Sequence, residues 1–189
     1  MKKILLIAAV SLFSMTAFAQ KFAHVNFQEL VQLMPEADQA RATLSEAQKN
    51  AQETYQTMVE EFNSKYSKYQ QGVSSYTQAT RKAKEDELSE IQRRIQEFQQ
   101  NVQAELAEQQ EQLFAPIYKK AQDKINELAA KAGYIYVFDK GSVHYLDPAQ
   151  SVDLTPIARK ELGVAEGRTL ETLQAELQAQ AQAAQAAQQ

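Results

Sequence analysis

The chain of 189 residues has no cysteine and no tryptophan, and only two histidines, five glycines and four prolines. The lack of cysteine excludes disulfide staples, thiolate nucleophiles and cysteine metal centres. His24 and His144 have no acidic or thiol cluster beside them to complete a metal set, and no serine–histidine–acid or paired-carboxylate arrangement can be assembled. No glycine-rich phosphate loop is present. The chain therefore reads as a non-enzyme with no cofactor. Positive charge is also in deficit, with 20 basic residues against 24 acidic ones, which disfavours nucleic acid as a partner.

Long apolar runs are scarce as well. The one present, Ile4 to Phe13, follows the basic start Met1-Lys2-Lys3 and precedes the small-residue motif Ala17-Phe18-Ala19. It is shorter than the ~20 apolar residues a membrane-spanning helix needs, so residues 1–19 read as a cleaved signal peptide. The mature chain then starts near Gln20, is exported, and carries a net charge of −6 instead of −4.

The scarcity of glycine and proline leaves two long stretches, 36–71 and 77–115, with no helix breaker. Their apolar residues recur in steps of three and four, the spacing of one helix face. Going up, they are Ala37, Ala40, Leu44, Ala47, Ala51, Tyr55, Met58 and Phe62. Coming back, they are Leu88, Ile91, Ile95, Phe98, Val102, Leu106 and Leu113. Folding the chain near residue 75 pairs Phe62 with Leu88, Met58 with Ile91, Tyr55 with Ile95 and Leu44 with Leu106 in a single antiparallel seam. Residues 36–132 are thus a helical hairpin arm with its tip near 72–77. Gly72 breaks the first helix, Ser75 to Gln78 fits a capping box, and Pro116 predicts a kink or break in the return helix. Apolar pairing stops at Phe62–Leu88, which predicts that the outer third opens more readily than the foot.

Residues 20–35 and 133–163 read as a small β-body. Lys21–Phe27 is a strand candidate. Tyr134–Asp139 and Val143–Asp147 read as the two strands of a β-hairpin, and Thr155 caps a short helix with Pro156 at its first position. The body is too small to be stable alone, and its strands carry apolar side chains for both faces. Sharing the core among copies solves both problems. The predicted interface residues are Phe22, Val25, Ile135, Val137 and Phe138. Residues 164–189 end in alanine and glutamine only and read as a flexible extension, with Leu170, Leu173 and Leu177 able to form a short amphipathic helix.

The order KFAHVNFQELVQLMPEA, a long helical hairpin, then GYIYVFDKGSVHYLDPAQSVDLTPIARKELG, resembles the Skp/OmpH family of periplasmic chaperones. The resemblance spans roughly residues 20–163 and implies an α+β, predominantly α fold. In that fold, long antiparallel helical arms project from a small β-body shared between the subunits of a trimer. It also implies an ATP-independent holdase that binds unfolded outer-membrane β-barrel proteins in the periplasm and prevents their aggregation. The alternative is an envelope structural or adaptor protein that docks partners on the hairpin. Two features depart from the family pattern: the net acidic mature chain and the alanine/glutamine tail. Lys65, Lys68, Arg81, Lys82 and Lys84 collect at the arm tip with Val73 and Tyr76. These seven are the candidate residues for contact with client or with a membrane surface.

Overall fold

The computed structural model describes residues 21–186; the signal peptide expected over 1–19 lies outside them. The described residues divide into two compact units. One holds the residues up to Val31 together with those from Ala121 onward, and the other runs from Gln32 to Lys120.

The first unit is built on a three-stranded sheet in which β1 (Phe22–Val25) is central, flanked by β2 (Tyr136–Asp139) and β3 (Ser151–Asp153). Both neighbours run parallel to β1, with Phe22 beside Tyr136 and Ser151, and His24 beside Phe138 and Asp153. The sequence predicts an antiparallel hairpin over 134–147, and the structure corrects this. Residues 143–147 form no strand; a 3₁₀ turn at Lys140–Ser142 is followed by irregular chain, and β3 comes later. The Asp147 carbonyl accepts the Gln150 and Ser151 N–H groups, and its side chain accepts that of Ala149 at 2.9 Å. This turn re-aims the chain so that the three residues after it pair with β1.

Ala23 and Val25 point to the inner face and are almost completely buried, as are Leu30, Ile125, Leu154, Ala158 and Leu162. Local caps fix the short helices around the sheet. Asn26 caps α1 (Phe27–Leu33) by accepting the Glu29 N–H at 3.1 Å, while its amide donates back to the Glu29 carboxylate. Asp153 accepts the Thr155 N–H at 2.8 Å at the start of the helix Thr155–Glu161. The Thr155 hydroxyl instead accepts the Asn26 N–H at 2.9 Å, tying that helix start to the end of β1. The predicted Thr155 cap is thus supplied by Asp153, two residues earlier. In the 164–189 extension the amphipathic helix around Leu170, Leu173 and Leu177 forms and runs longer. Residues Leu170–Ala186 are helical, Thr169 and Thr172 cap each other reciprocally, and Val164 and Leu173 are buried. The Arg159 guanidinium anchors the connection, pairing with Glu29 at 2.6 Å and donating to the Arg168 carbonyl.

The second unit is the helical hairpin. Its first helix, α2 (Pro35–Gly72), begins with Pro35 at the first helical position, where the missing N–H costs nothing. The return helix, α3 (Gln78–Ala132), continues through Pro116. No break occurs because Pro116 is exposed, so the carbonyl its ring leaves unpaired can bond water. At the turn the Ser75 N–H and hydroxyl both bond the Gly72 carbonyl, and the Thr77 hydroxyl accepts the Thr80 N–H at 3.1 Å. Thr77, and not Ser75, is therefore the cap of α3. A Cβ at Gly72 would meet the Tyr76 ring, which would have to move aside.

The seam residues Leu44, Tyr55, Met58, Phe62, Phe98 and Leu106 are only half-buried. This is what two helices alone can achieve. Ile91, 2 % exposed, is the single buried side chain between Arg41 and Pro116.

Candidate functional site

The interface residues predicted from sequence fall on different sides of the sheet. Phe22 stacks on Tyr136 with ring centroids 6.3 Å apart, and Phe138 lies 6.4 Å from Phe22 and 6.0 Å from Tyr136. These three rings form one aromatic ladder on the outer face. Tyr136 is 60 % exposed and Phe138 40 %. Val25 is 3 % exposed and belongs to the inner core. Val137 sits half-buried on the same inner face, lining a cleft with Val25 and Ile125. Ile135 precedes β2, is half exposed, and donates its N–H to the Lys21 carbonyl at 3.1 Å.

His24 shares the outer face. It is buried, bonded through Nδ1 to the Ser151 hydroxyl at 2.8 Å, with Nε2 3.7 Å from the Asp153 carboxylate. Both contacts cross from β1 to β3, so the imidazole clips the shortest strand to the central one. His144, in the irregular segment, is exposed. Among the described residues no group of three histidine, aspartate or glutamate side chains is placed to hold a metal ion.

The hairpin turn does bring the predicted tip residues together, but not as free cations. Glu87 accepts Lys65 from the other helix and Lys84 at 3.1 Å from its own. Lys82 pairs with Asp86 at 3.1 Å, and Arg81 donates to the Val73 carbonyl at 3.1 Å. Of the five, Lys68 and Arg81 have no carboxylate partner among the described residues. The Tyr76 hydroxyl donates to the Lys68 carbonyl at 3.2 Å, and its ring meets Tyr69 at 6.1 Å. Tyr69 donates to Glu85 across the hairpin at 2.6 Å. A cleft of about 270 Å³ remains among Lys65, Lys68, Tyr69, Tyr76 and Leu88.

The same-helix pairs Lys82–Asp86 and Lys84–Glu87 follow from three- and four-residue spacing. The cross-helix pairs Lys65–Glu87, Tyr69–Glu85 and Arg94–Glu61 depend on the packed register, which local spacing does not reveal. Glu87 has its carboxyl held below the usual range by its hydrogen bond to Lys65, reinforced by Lys84. Its contribution is therefore present above the ordinary glutamate range and lost as pH falls through the folded value. Acidification, or the substitution Glu87→Gln, should lower the amide protection factors at Tyr69 and Tyr76 while leaving that of Leu44 unchanged. Equal protection at all three positions would contradict an ion-paired outer hairpin.

The described residues thus present a small parallel sheet with an uncovered aromatic face and a long polar hairpin. The chain belongs to the family of OmpH-like outer membrane proteins, whose sequence pattern it matches over residues 21–162. That span covers all three strands and the whole hairpin, and it ends before the helix Leu170–Ala186. No individual curated protein matches the chain. No described helix is long and apolar enough to cross a membrane.

Proposed function

We propose that this chain is an ATP-independent holding chaperone of the periplasm that binds unfolded outer-membrane β-barrel proteins and keeps them from aggregating. The observation that carries the reading is the family match over sheet and hairpin together, since membership is consistent with chaperoning of outer-membrane proteins. The aromatic ladder of Phe22, Tyr136 and Phe138 supports self-association, because each ring leaves apolar surface that one chain does not cover. Three copies joined at that face would confine a client among their hairpins. Holding then rests on many weak contacts, none of which fixes one client pose.

Charge attraction plays little part. The mature chain is net acidic, and Lys65, Lys82 and Lys84 are neutralised by Glu87 and Asp86 at the turn. The tip is thus assigned to client contact in preference to anionic lipid. The test is dilution of an unfolded outer-membrane protein from urea with and without the mature chain. Suppressed light scattering at near-stoichiometric trimer is expected. Unchanged scattering, with binding of one folded partner instead, would favour an adaptor.

A further inference from the structure

Midway along the hairpin the two helices enclose an open groove of about 520 Å³. Its apolar floor includes Ala51, Phe98 and Val102, where small Ala51 leaves room between the helices. Its rim carries two glutamines from each helix: Gln48 and Gln52 on α2, Gln99 and Gln103 on α3. No charged side chain lines it, although the surrounding helix faces are rich in ion pairs.

The four rim amides are also unengaged. Four glutamine amides, those of Gln70, Gln71, Gln112 and Gln122, donate to neighbours on their own helix, which many others on these helices do not. Among the described residues none of Gln48, Gln52, Gln99 and Gln103 has such a partner. Each therefore offers two N–H donors and a carbonyl acceptor to whatever enters.

Spacing selects the occupant. Glutamines four residues apart on a helix stand about 6 Å apart along its axis. In an extended chain, residues two apart lie about 6.6–6.8 Å apart and point the same way. A strand lying along the groove would thus offer a peptide group to each rim glutamine in turn, and every second side chain to the floor. A helix or folded domain has its backbone groups satisfied internally and gains nothing from such a rim. A charged segment would be desolvated against the floor without a counter-ion.

We infer that this groove docks an extended, uncharged segment of an unfolded chain through backbone hydrogen bonds to Gln48, Gln52, Gln99 and Gln103. The inference rests on the chaperone reading and specifies the chemistry of its client.

The probe is a dye-labelled nonapeptide of alternating tyrosine and serine, acetylated and amidated at its ends, read by fluorescence anisotropy against the mature chain. Two variants are compared. The quadruple Gln48→Met, Gln52→Met, Gln99→Met, Gln103→Met removes every amide while keeping length and helix propensity. The double Gln52→Glu, Gln103→Glu keeps the shape and adds charge. Both should retain wild-type circular dichroism and bind the peptide at least tenfold more weakly. Wild-type affinity should be insensitive to salt, and a peptide with proline at alternate positions, lacking those N–H groups, should bind poorly. Wild-type-like binding by the methionine variant, or no peptide binding by the parent chain, would overturn the inference. The light-scattering assay runs in parallel. If the parent suppresses aggregation while the glutamine variants bind peptide normally, the groove assignment fails and the chaperone reading stands. If the parent suppresses nothing, it is the chaperone reading that fails.

Discussion

Replacing Tyr136 and Phe138 with aspartate should leave the chain folded but reduce it to single copies, with loss of aggregation suppression. Both side chains lie on the outer sheet face and are exposed, so the substitutions remove nothing from the inner core of Ala23, Val25 and Leu30. Covering the exposed part of each ring is worth about 1–2 kcal/mol per subunit, taking roughly half of a full aromatic burial. Placing a carboxylate at a dry interface reverses that sign and adds a desolvation penalty. Because every copy in a symmetric assembly carries the change, the effect multiplies with the number of interfaces. Sedimentation or light scattering coupled to size exclusion reads the mass directly. An unchanged mass would place the assembly face elsewhere.

The substitution Ile91→Asp should have the largest effect on the hairpin. Ile91 is the one fully buried side chain in its middle, so no neighbouring core can compensate. Truncation to alanine alone is expected to cost about 2–5 kcal/mol, and a buried carboxylate more. Beyond it toward the turn, the helices are joined mainly by polar contacts such as Lys65–Glu87 and Tyr69–Glu85. Exposed pairs of this kind contribute little each. Loss of Ile91 should therefore release the outer hairpin, seen as lost helical circular dichroism and fast exchange over residues 62–88. Exchange at Ala37 and Ala40 should stay slow. Cooperative loss of protection along the whole hairpin would show that it has no independent outer segment.

The hairpin was legible in the sequence because its signal is repeated and local. Two runs of three- and four-residue apolar steps mirror each other, with Gly72 between them and Pro35 at the start. The sheet was not. β1 is four residues long and meets β2 and β3 more than a hundred residues later, so no local pattern announces the parallel pairing. Val143 to Asp147 reads as a strand from composition, yet in the single chain no neighbour accepts it. At Pro116 the helix runs on without a break, and its exposed position leaves the freed carbonyl open to water. At the tip the cluster of cations and its same-helix pairs Lys82–Asp86 and Lys84–Glu87 are legible from spacing; the cross-helix pair Lys65–Glu87 requires the helix register. The glutamine rim escaped notice because glutamine on a long helix ordinarily means solvation; only the groove beside it gives those amides a direction.

The most direct measurement is native mass spectrometry of the mature chain mixed with an unfolded outer-membrane β-barrel protein. Three copies of the chain holding one client is the predicted species, with the client absent once it has folded. A single copy with no client bound, under conditions where the protein is folded, would contradict both the shared sheet and the holding role.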